Sequence, residues 1–387
     1  MVEHEIGTGV GPGCVGEPSF RWHETVALAF AILFSVVTVA AVFMIATRPM
    51  AVDFLSYWAA ARLALEGQAA AAYDIVVHSK MEATIAPIDG LLPFPYPPPY
   101  LMLVSPFGLL PFGIAVALWI FGTAILYLSV ARKLGSPRVV LAQPGVLANG
   151  LIGQNGFLTT SIFIAGTQLL ERRPVLAGAI LGLFVFKPQL ALLLPVAVIA
   201  ARNWLAILGA AASCSVLLLA ALLTFGIDVY RGFFETAPQY ALFMQQNRWP
   251  WNELASVFAF GRWLGLPAWL ALALHAALAA VAAHAVWRAW RADDPAKVPL
   301  LAGATLLMPP YLFTYDSLLL VVPIAWLMKQ RSHPTVVAAI WFASLLPIAI
   351  YFGLYAGPNT TPIAAALCLL ILRSQSRVRM QAALASS

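Results

Sequence analysis

The chain has 387 residues, of which 61% are hydrophobic and only 10% charged, with a mean hydropathy of +0.86. Soluble domains run at roughly 25% charged residues, so this composition excludes a soluble globular protein, and the unbroken apolar runs exclude a transmembrane β-barrel. The net charge of +6 comes from Lys and Arg scattered between apolar runs, a pattern of membrane topology rather than of nucleic-acid binding.

Residues 1–23 are polar and Gly-rich and read as a disordered cytoplasmic tail. The run from Thr25 to Ala46 is too long for a signal-peptide core and lacks a small-residue cleavage site, so it reads as a retained first span. A polar segment, 47–100, follows as a first outer loop. It opens with Ala51-Val52-Asp53-Phe54-Leu55-Ser56-Tyr57-Trp58, continued by alanines, Arg62 and Leu63. As a helix, this stretch puts Asp53, Ser56 and Tyr57 on one face. It is expected to lie flat in the membrane interface, with Tyr57 and Trp58 at headgroup level. Asp53 then either caps the helix or serves as a catalytic base towards a lipid headgroup. Next come Tyr73-Asp74, an amphipathic piece to about Ile85, and the proline cluster from Leu92 to Tyr100, which calls for extended or polyproline backbone. Leu101–Phe107 reads as a re-entrant or interfacial helix leading into a span from Phe112 to Val130.

Basic clusters then recur at Arg132/Lys133/Arg138, Arg172/Arg173, Arg202, Arg288/Arg291/Lys297, Lys329/Arg331 and Arg373/Arg377/Arg379. Apolar sequence with a polar break near its middle separates them. Basic ends belong in the cytoplasm, so each segment is expected to be a hairpin with its tip outside. The tips are Gly153-Gln154-Asn155-Gly156, Lys187-Pro188-Gln189, a second outer loop from Ile227 to Trp251, Tyr315-Asp316 and Gly357-Pro358-Asn359. The count is about 12 spans in one membrane domain, 24–373, followed by a cytoplasmic tail, 374–387, with both termini inside. After the first span, 14 Lys/Arg fall inside and seven outside.

Several arms are only roughly 12–16 residues long, against the roughly 20 needed to cross a bilayer. Their tips, with Gln154, Lys187 and Asp316, should therefore be sunk, where a charge costs about 2.5–3.5 kcal/mol on insertion scales. Such groups are expected at a polar cavity. Each has a plainer alternative. Lys187 either binds an anion such as a lipid phosphate or snorkels to the interface. Gln154 either binds a sugar hydroxyl or sits in a plain turn. Asp316 either orients a site group or caps the helix starting at Ser317. Tyr96 either offers its ring to a sugar or belongs to a rigid connector. The loop with Tyr240, Gln245, Gln246, Asn247, Arg248, Trp249, Trp251 and Asn252 fits carbohydrate binding and an interface belt equally.

The three cysteines are far apart and the six histidines lack metal-ligand spacing. No metal site is expected. There is no P-loop, GxGxxG, HExxH or EF-hand loop, so no cofactor and no nucleotide-driven transport are expected.

Taken in order, Asp53-Phe54-Leu55-Ser56-Tyr57-Trp58, Tyr73-Asp74, Tyr96-Pro97-Pro98, Pro106-Phe107 with Leu110-Pro111, Gly153-Gln154, Lys187-Pro188-Gln189 and Tyr315-Asp316 resemble glycosyltransferase family 87 of the GT-C superfamily. Its members include polyprenol-phosphate-mannose-dependent α-mannosyltransferases. The resemblance implies an all-α integral membrane protein, a GT-C-like polytopic bundle whose outer loop bears amphipathic interfacial helices. It implies transfer of a hexose, mannose by preference, from a polyprenyl-phosphate-hexose donor to a lipid or glycan acceptor at the outer face of the inner membrane, with inversion. The family's catalytic Asp maps onto Asp53. Members that transfer mannose often carry histidines near the position of Tyr315-Asp316, and this chain has none there. Inversion needs one base, and a phosphate leaving group needs no second carboxylate acid. Lys187, Gln189, Gln154, Tyr57, Arg62, Tyr96, Arg248 and Asp316 are the residues expected to hold donor phosphate and sugar, and Arg262 is a further cation for the leaving phosphate. Membrane lipids are the remaining partners. The alternatives are a carrier or flippase of lipid-linked sugars, which would show internal repeats, and a non-catalytic scaffold.

Overall fold

The computed structural model describes residues 19–87, 92–245, 250–331 and 333–385. Among them every regular element is helical, and extended pairing is limited to an isolated antiparallel bridge between Leu254 and Phe313. A lipid-embedded backbone must satisfy its own hydrogen bonds, and helices do so within one segment.

Helix α1 (Ser19–Thr47) stops two residues before Pro49, whose ring bars helical backbone in the residue before it. The helix begins inside the stretch expected to be tail, so residues 19–23 are helical; residues 1–18 lie outside the described set. Helix α2 (Asp53–Leu65) ends in a Schellman motif. Gly67 takes φ +76°, Gln68 N–H donates to Leu63 O (2.8 Å) and Gly67 N–H to Ala64 O (3.2 Å). Helix α3 (Ile75–Ala83) is capped by Asp74, which accepts from the N–H groups of Val76 and Val77. The proline cluster is extended only to Pro97. Pro98 and Pro99 open helix α4 (Pro98–Val104), because the first helical positions have no intrahelical use for an N–H.

The rest of the chain follows as α5 (Phe112–Ala131), α6 (Pro137–Leu141), α7 (Pro144–Ile152), α8 (Gly156–Leu169), α9 (Pro174–Gly182), α10 (Leu194–Ala200), α11 (Trp204–Phe225), α12 (Asp228–Gln245), α13 (Val257–Trp263), α14 (Ala268–Arg291), α15 (Lys297–Thr305), α16 (Val321–Lys329), α17 (Pro334–Leu345) and α18 (Thr361–Ala385). Among the described residues five helices are long and apolar enough to cross a membrane singly: Glu24–Thr47, Phe112–Ala131, Trp204–Phe225, Ala268–Arg291 and Pro334–Phe352. Gly156–Leu169, Pro174–Phe186, Pro188–Ala200 and Thr361–Gln375 are shorter apolar helices. The figure of about 12 spans counts short arms of this kind as crossings. The long helices expose Val36, Phe43, Val216, Leu219 and Leu223, as helices facing lipid do. Between α9 and α11 a Cβ on Gly178 would fall 1.9 Å from Ala206 O. Small residues at that contact let the two backbones approach, a recurrent membrane-helix device.

Two expectations are corrected. Helix α2 is not a surface helix with Tyr57 and Trp58 at headgroup level: nine of its 13 residues are buried, those two among them. Its alanines leave room on every side, and a Cβ on Gly108 would already sit 2.9 Å from the Ala61 carbonyl carbon. The second loop is mostly helix: α12 runs to Gln245 with Pro238 inside it. Thr236 is buried and its hydroxyl donates to Tyr73 O (2.8 Å), while Phe234 faces outward.

Candidate active site

Asp53 is the first residue of α2. Val52 is the N-cap and makes no side-chain cap bond, so capping does not account for Asp53. An anion in a first helical turn is favoured by the helix dipole. The Asp53 carboxylate is half-buried, and its Oδ2 accepts from Gln154 Nε2 (2.6 Å).

Gln154 sits in the turn between α7 and α8. Gly153 takes φ +70°, and a Cβ there would lie 2.7 Å from Phe54 Cβ. Only glycine meets both demands. Trp119 Nε1 donates to Gly153 O (2.9 Å). Asn149 binds the other side of the turn, accepting from Gly156 N–H (2.7 Å) and donating to Tyr315 O (2.9 Å). Gln154 Oε1 accepts from the Tyr57 hydroxyl (2.5 Å), the Tyr96 hydroxyl (3.1 Å) and Asn155 N–H (3.2 Å). Those three donors fix which way the amide points, so its N–H group faces Asp53. The two hydroxyls lie 3.0 Å apart, and burial pushes both phenols upward, keeping them protonated. Tyr73 holds the Tyr96 segment by donating to Tyr96 O (2.8 Å).

The network continues through Asn155 to Lys187. Lys187 Nζ donates to Asn155 Oδ1 (3.1 Å) and Asp316 Oδ1 (2.6 Å), and stands 4.6 Å from the Tyr315 ring centre. Lys187 and Asp316 are each 3% exposed. Lys187 therefore does not snorkel, and Asp316 orients it rather than capping a helix, since the turn of helix there begins at Thr314. Asp53, Tyr57, Tyr96, Gln154, Lys187 and Asp316, spread over more than 260 positions, thus form one connected polar cluster.

The other predicted residues lie apart. Gln189 is half-buried without a side-chain hydrogen bond to any described residue. Arg62 is nine residues along α2, about 13 Å from Asp53 at 1.5 Å per residue. It pairs with Glu66 (3.1 Å), donates to Gly108 O (3.3 Å), and borders an open cleft of ≈ 550 Å³ with Trp58, Met81 and Leu110. Arg262 stacks over Trp251 and donates to Leu266 O (2.7 Å). Arg248 lies outside the described residues. Sequence reasoning did not single out Asn155, Asn149, Glu253 or Tyr100, whose hydroxyl accepts from Asn155 Nδ2 (3.4 Å). Asn155, beside Gln154 in a polar turn between apolar arms, carried a signal; the rest depend on long-range folding.

Burial pushes the Asp53 carboxyl up to about 6, against the Gln154 hydrogen bond and the Lys187 charge, which both pull it down. Burial and then the Asp53 charge likewise raise Glu253. A carboxylate of this kind, reachable and poised near neutrality, takes a proton from a hydroxyl efficiently. Among the described residues no three His, Cys, Asp or Glu side chains group as metal ligands.

Helices apolar and long enough to span a membrane, together with a hydrogen-bonded acid–amide–lysine cluster, point to a polytopic membrane protein with an enzyme-like centre. The family model described as Glycosyltransferase family 87 matches residues 94–310, more than half of the chain. The chain belongs to that family and is a membrane glycosyltransferase. No curated protein and no solved structure matches it. The matched region includes Tyr96, Gln154 and Lys187; Asp53 and Asp316 lie outside it and reach it through the hydrogen bonds above.

Proposed function

We propose that the protein transfers a hexose, mannose by family resemblance, from a polyprenyl phosphate to a hydroxyl of a lipid or glycan acceptor at the outer face of the inner membrane. Asp53 is the base. It takes the acceptor proton while the acceptor oxygen bonds to the anomeric carbon from the face opposite the phosphate. The C1–O bond breaks, the polyprenyl phosphate leaves with the electron pair, and the anomeric configuration inverts. Gln154, held by Tyr57 and Tyr96, keeps the carboxylate aimed. Lys187 offsets charge on the departing phosphate through space, while Asn155 and Asp316 take two of its three donors.

The observation that supports this reading is the Asp53–Gln154 contact: a half-buried carboxylate, free of a capping duty, pinned at 2.6 Å by an amide whose own orientation is fixed. The test is transfer in reconstituted membranes from farnesyl-phosphate mannose, with the product linkage read by NMR. Wild type gives inverted product, with kcat/KM rising as pH passes through about 6. Asp53→Asn loses about 10²–10⁴-fold, the usual worth of a general base. Retained configuration, or undiminished turnover by Asp53→Asn, refutes the scheme.

A further inference from the structure

Away from the polar cluster, an open cleft lies where two helices of spanning length end. A Cβ on Gly113, at the start of α5, would fall 2.5 Å from Ala46 O, at the end of α1. Those two ends together mark one edge of the apolar slab that both helices can cross. Leu110 and Pro111, the residues just before α5, line the cleft with Leu109 and with Trp58, Arg62 and Glu66 of α2. The cleft is thus at the level where lipid headgroups meet acyl chains. Its volume of ≈ 550 Å³ falls in the range of about 300–1,000 Å³ usual for small-molecule sites. One rim is apolar and open: Leu109 is 71% exposed.

The wall opposite that rim carries one charge of each sign. Arg62 is held on three sides. Nη1 donates to Gly108 O (3.3 Å), Nη2 donates to Glu66 Oε1 (3.1 Å), and Cζ stands 5.9 Å from the Trp58 ring centre. Trp58 is itself pinned, its Nε1 donating to Leu110 O (3.0 Å). A guanidinium has five N–H donors, so three are left for a ligand. Glu66 Oε2 accepts nothing from a described residue, and the two side chains are 39% and 38% exposed. An exposed pair of this kind contributes only about 0–1 kcal/mol to a fold, so a ligand that engages both members displaces little. A phosphate suits the guanidinium fork, but a lone phosphate would also meet the Glu66 carboxylate. A lone amine would meet Arg62. A head that carries both groups satisfies both residues at once, and a primary ammonium has N–H groups to give the carboxylate, which a quaternary one lacks.

We infer that this cleft binds a structural phospholipid whose head bears a phosphate and a primary amine, as phosphatidylethanolamine does. Arg62 takes the phosphate, Glu66 the ammonium, and the acyl chains run past Leu109 into the slab. The lipid is held as a whole and nothing is transferred from it, so the inference does not depend on the reaction proposed above.

The test titrates the full chain in detergent with dioleoyl phosphatidylethanolamine, phosphatidylcholine and phosphatidylglycerol, and counts bound lipid by native mass spectrometry. Wild type takes up one phosphatidylethanolamine about tenfold more tightly than either of the others, equal to about 1.4 kcal/mol. Glu66→Gln keeps the shape and leaves the cation alone, so the preference passes to phosphatidylglycerol. That is a gain of affinity for one lipid, which misfolding would not produce. Arg62→Met lowers the first binding step of all three lipids to one common level. Equal uptake of the three by wild type, or a preference for phosphatidylglycerol by wild type, overturns the inference. So does a phosphatidylethanolamine preference that survives Glu66→Gln.

Discussion

Lys187→Met tests the floor of the site in two independent ways. The Lys187–Asp316 pair is 2.6 Å long, with side chains 3% and 1% exposed. Removing one member of a buried ion pair costs about 3–5 kcal/mol, because the other charge is left without compensation. Asn155 loses its donor as well. Replacing both members by apolar residues of similar size is often close to neutral, so Lys187→Met/Asp316→Leu should recover most of the loss. Thermal unfolding in nanodiscs, followed by tryptophan fluorescence, measures both. A single variant costing under about 1 kcal/mol, or a double variant costing the sum of the singles, refutes the pairing.

The same substitution has a kinetic signature. The Lys187 charge pulls the Asp53 carboxyl down towards about 6. Without it Asp53 binds its proton more tightly, less of the base is ionised at a given pH, and the acid limb of kcat/KM moves to higher pH. Activity is read well below the melting temperature, so that stability does not enter. An unmoved limb shows that Lys187 does not act on Asp53.

Asp53→Asn should stabilise the fold while slowing transfer about 10²–10⁴-fold. The carboxyl binds its proton more tightly when folded, at about 6, than at its ordinary 3.8. Stability therefore falls as pH rises between those values, and at pH 7 the ionised group costs about 1–3 kcal/mol. The gain should appear in melts at pH 7.5 and shrink at pH 4.5; an equal gain at both contradicts the raised pKa. Gly153→Ala places a Cβ 2.7 Å from Phe54 Cβ at φ +70°, a left-handed conformation costing about 1–2 kcal/mol before the clash is counted. It should lower the melting temperature and shift the acid limb by displacing Gln154; a wild-type melt refutes the strain.

What the sequence showed well was the polar residue out of place. Gln154, Lys187 and Asp316 interrupt apolar arms, and Asp53 is the first acid after the first span. Burial in a lipid-facing bundle is so costly for such groups that they must meet partners, and here they meet one another. The sequence misled where small residues were involved. The alanines of α2 looked like one side of a surface helix, yet Ala59, Ala60 and Ala61 are all fully buried. An Ala-rich helix has no marked polar face to say which side is covered. Glu253 was hidden among Trp251, Asn252 and the polar residues before them, a composition shared with an interface belt. Its backbone is held by Asn359, about a hundred residues later, and no local pattern encodes that contact.

The cluster is built so that no single element owns the base. Asp53 comes from α2, the amide aiming it from the α7–α8 turn, the hydroxyls fixing that amide from α2 and the proline segment, and the lysine from a broken helical arm. Burial alone would lift the carboxyl further and leave less of the base ionised at a given pH. Gln154 and Lys187 bring it back to where half is ionised near pH 6. Those two restraints also carry part of the stability that the ionised acid removes. Variants at Gln154 and Lys187 should therefore couple to Asp53→Asn in both melts and acid limb, whereas variants at Arg62, about 13 Å along the helix, should add to it independently.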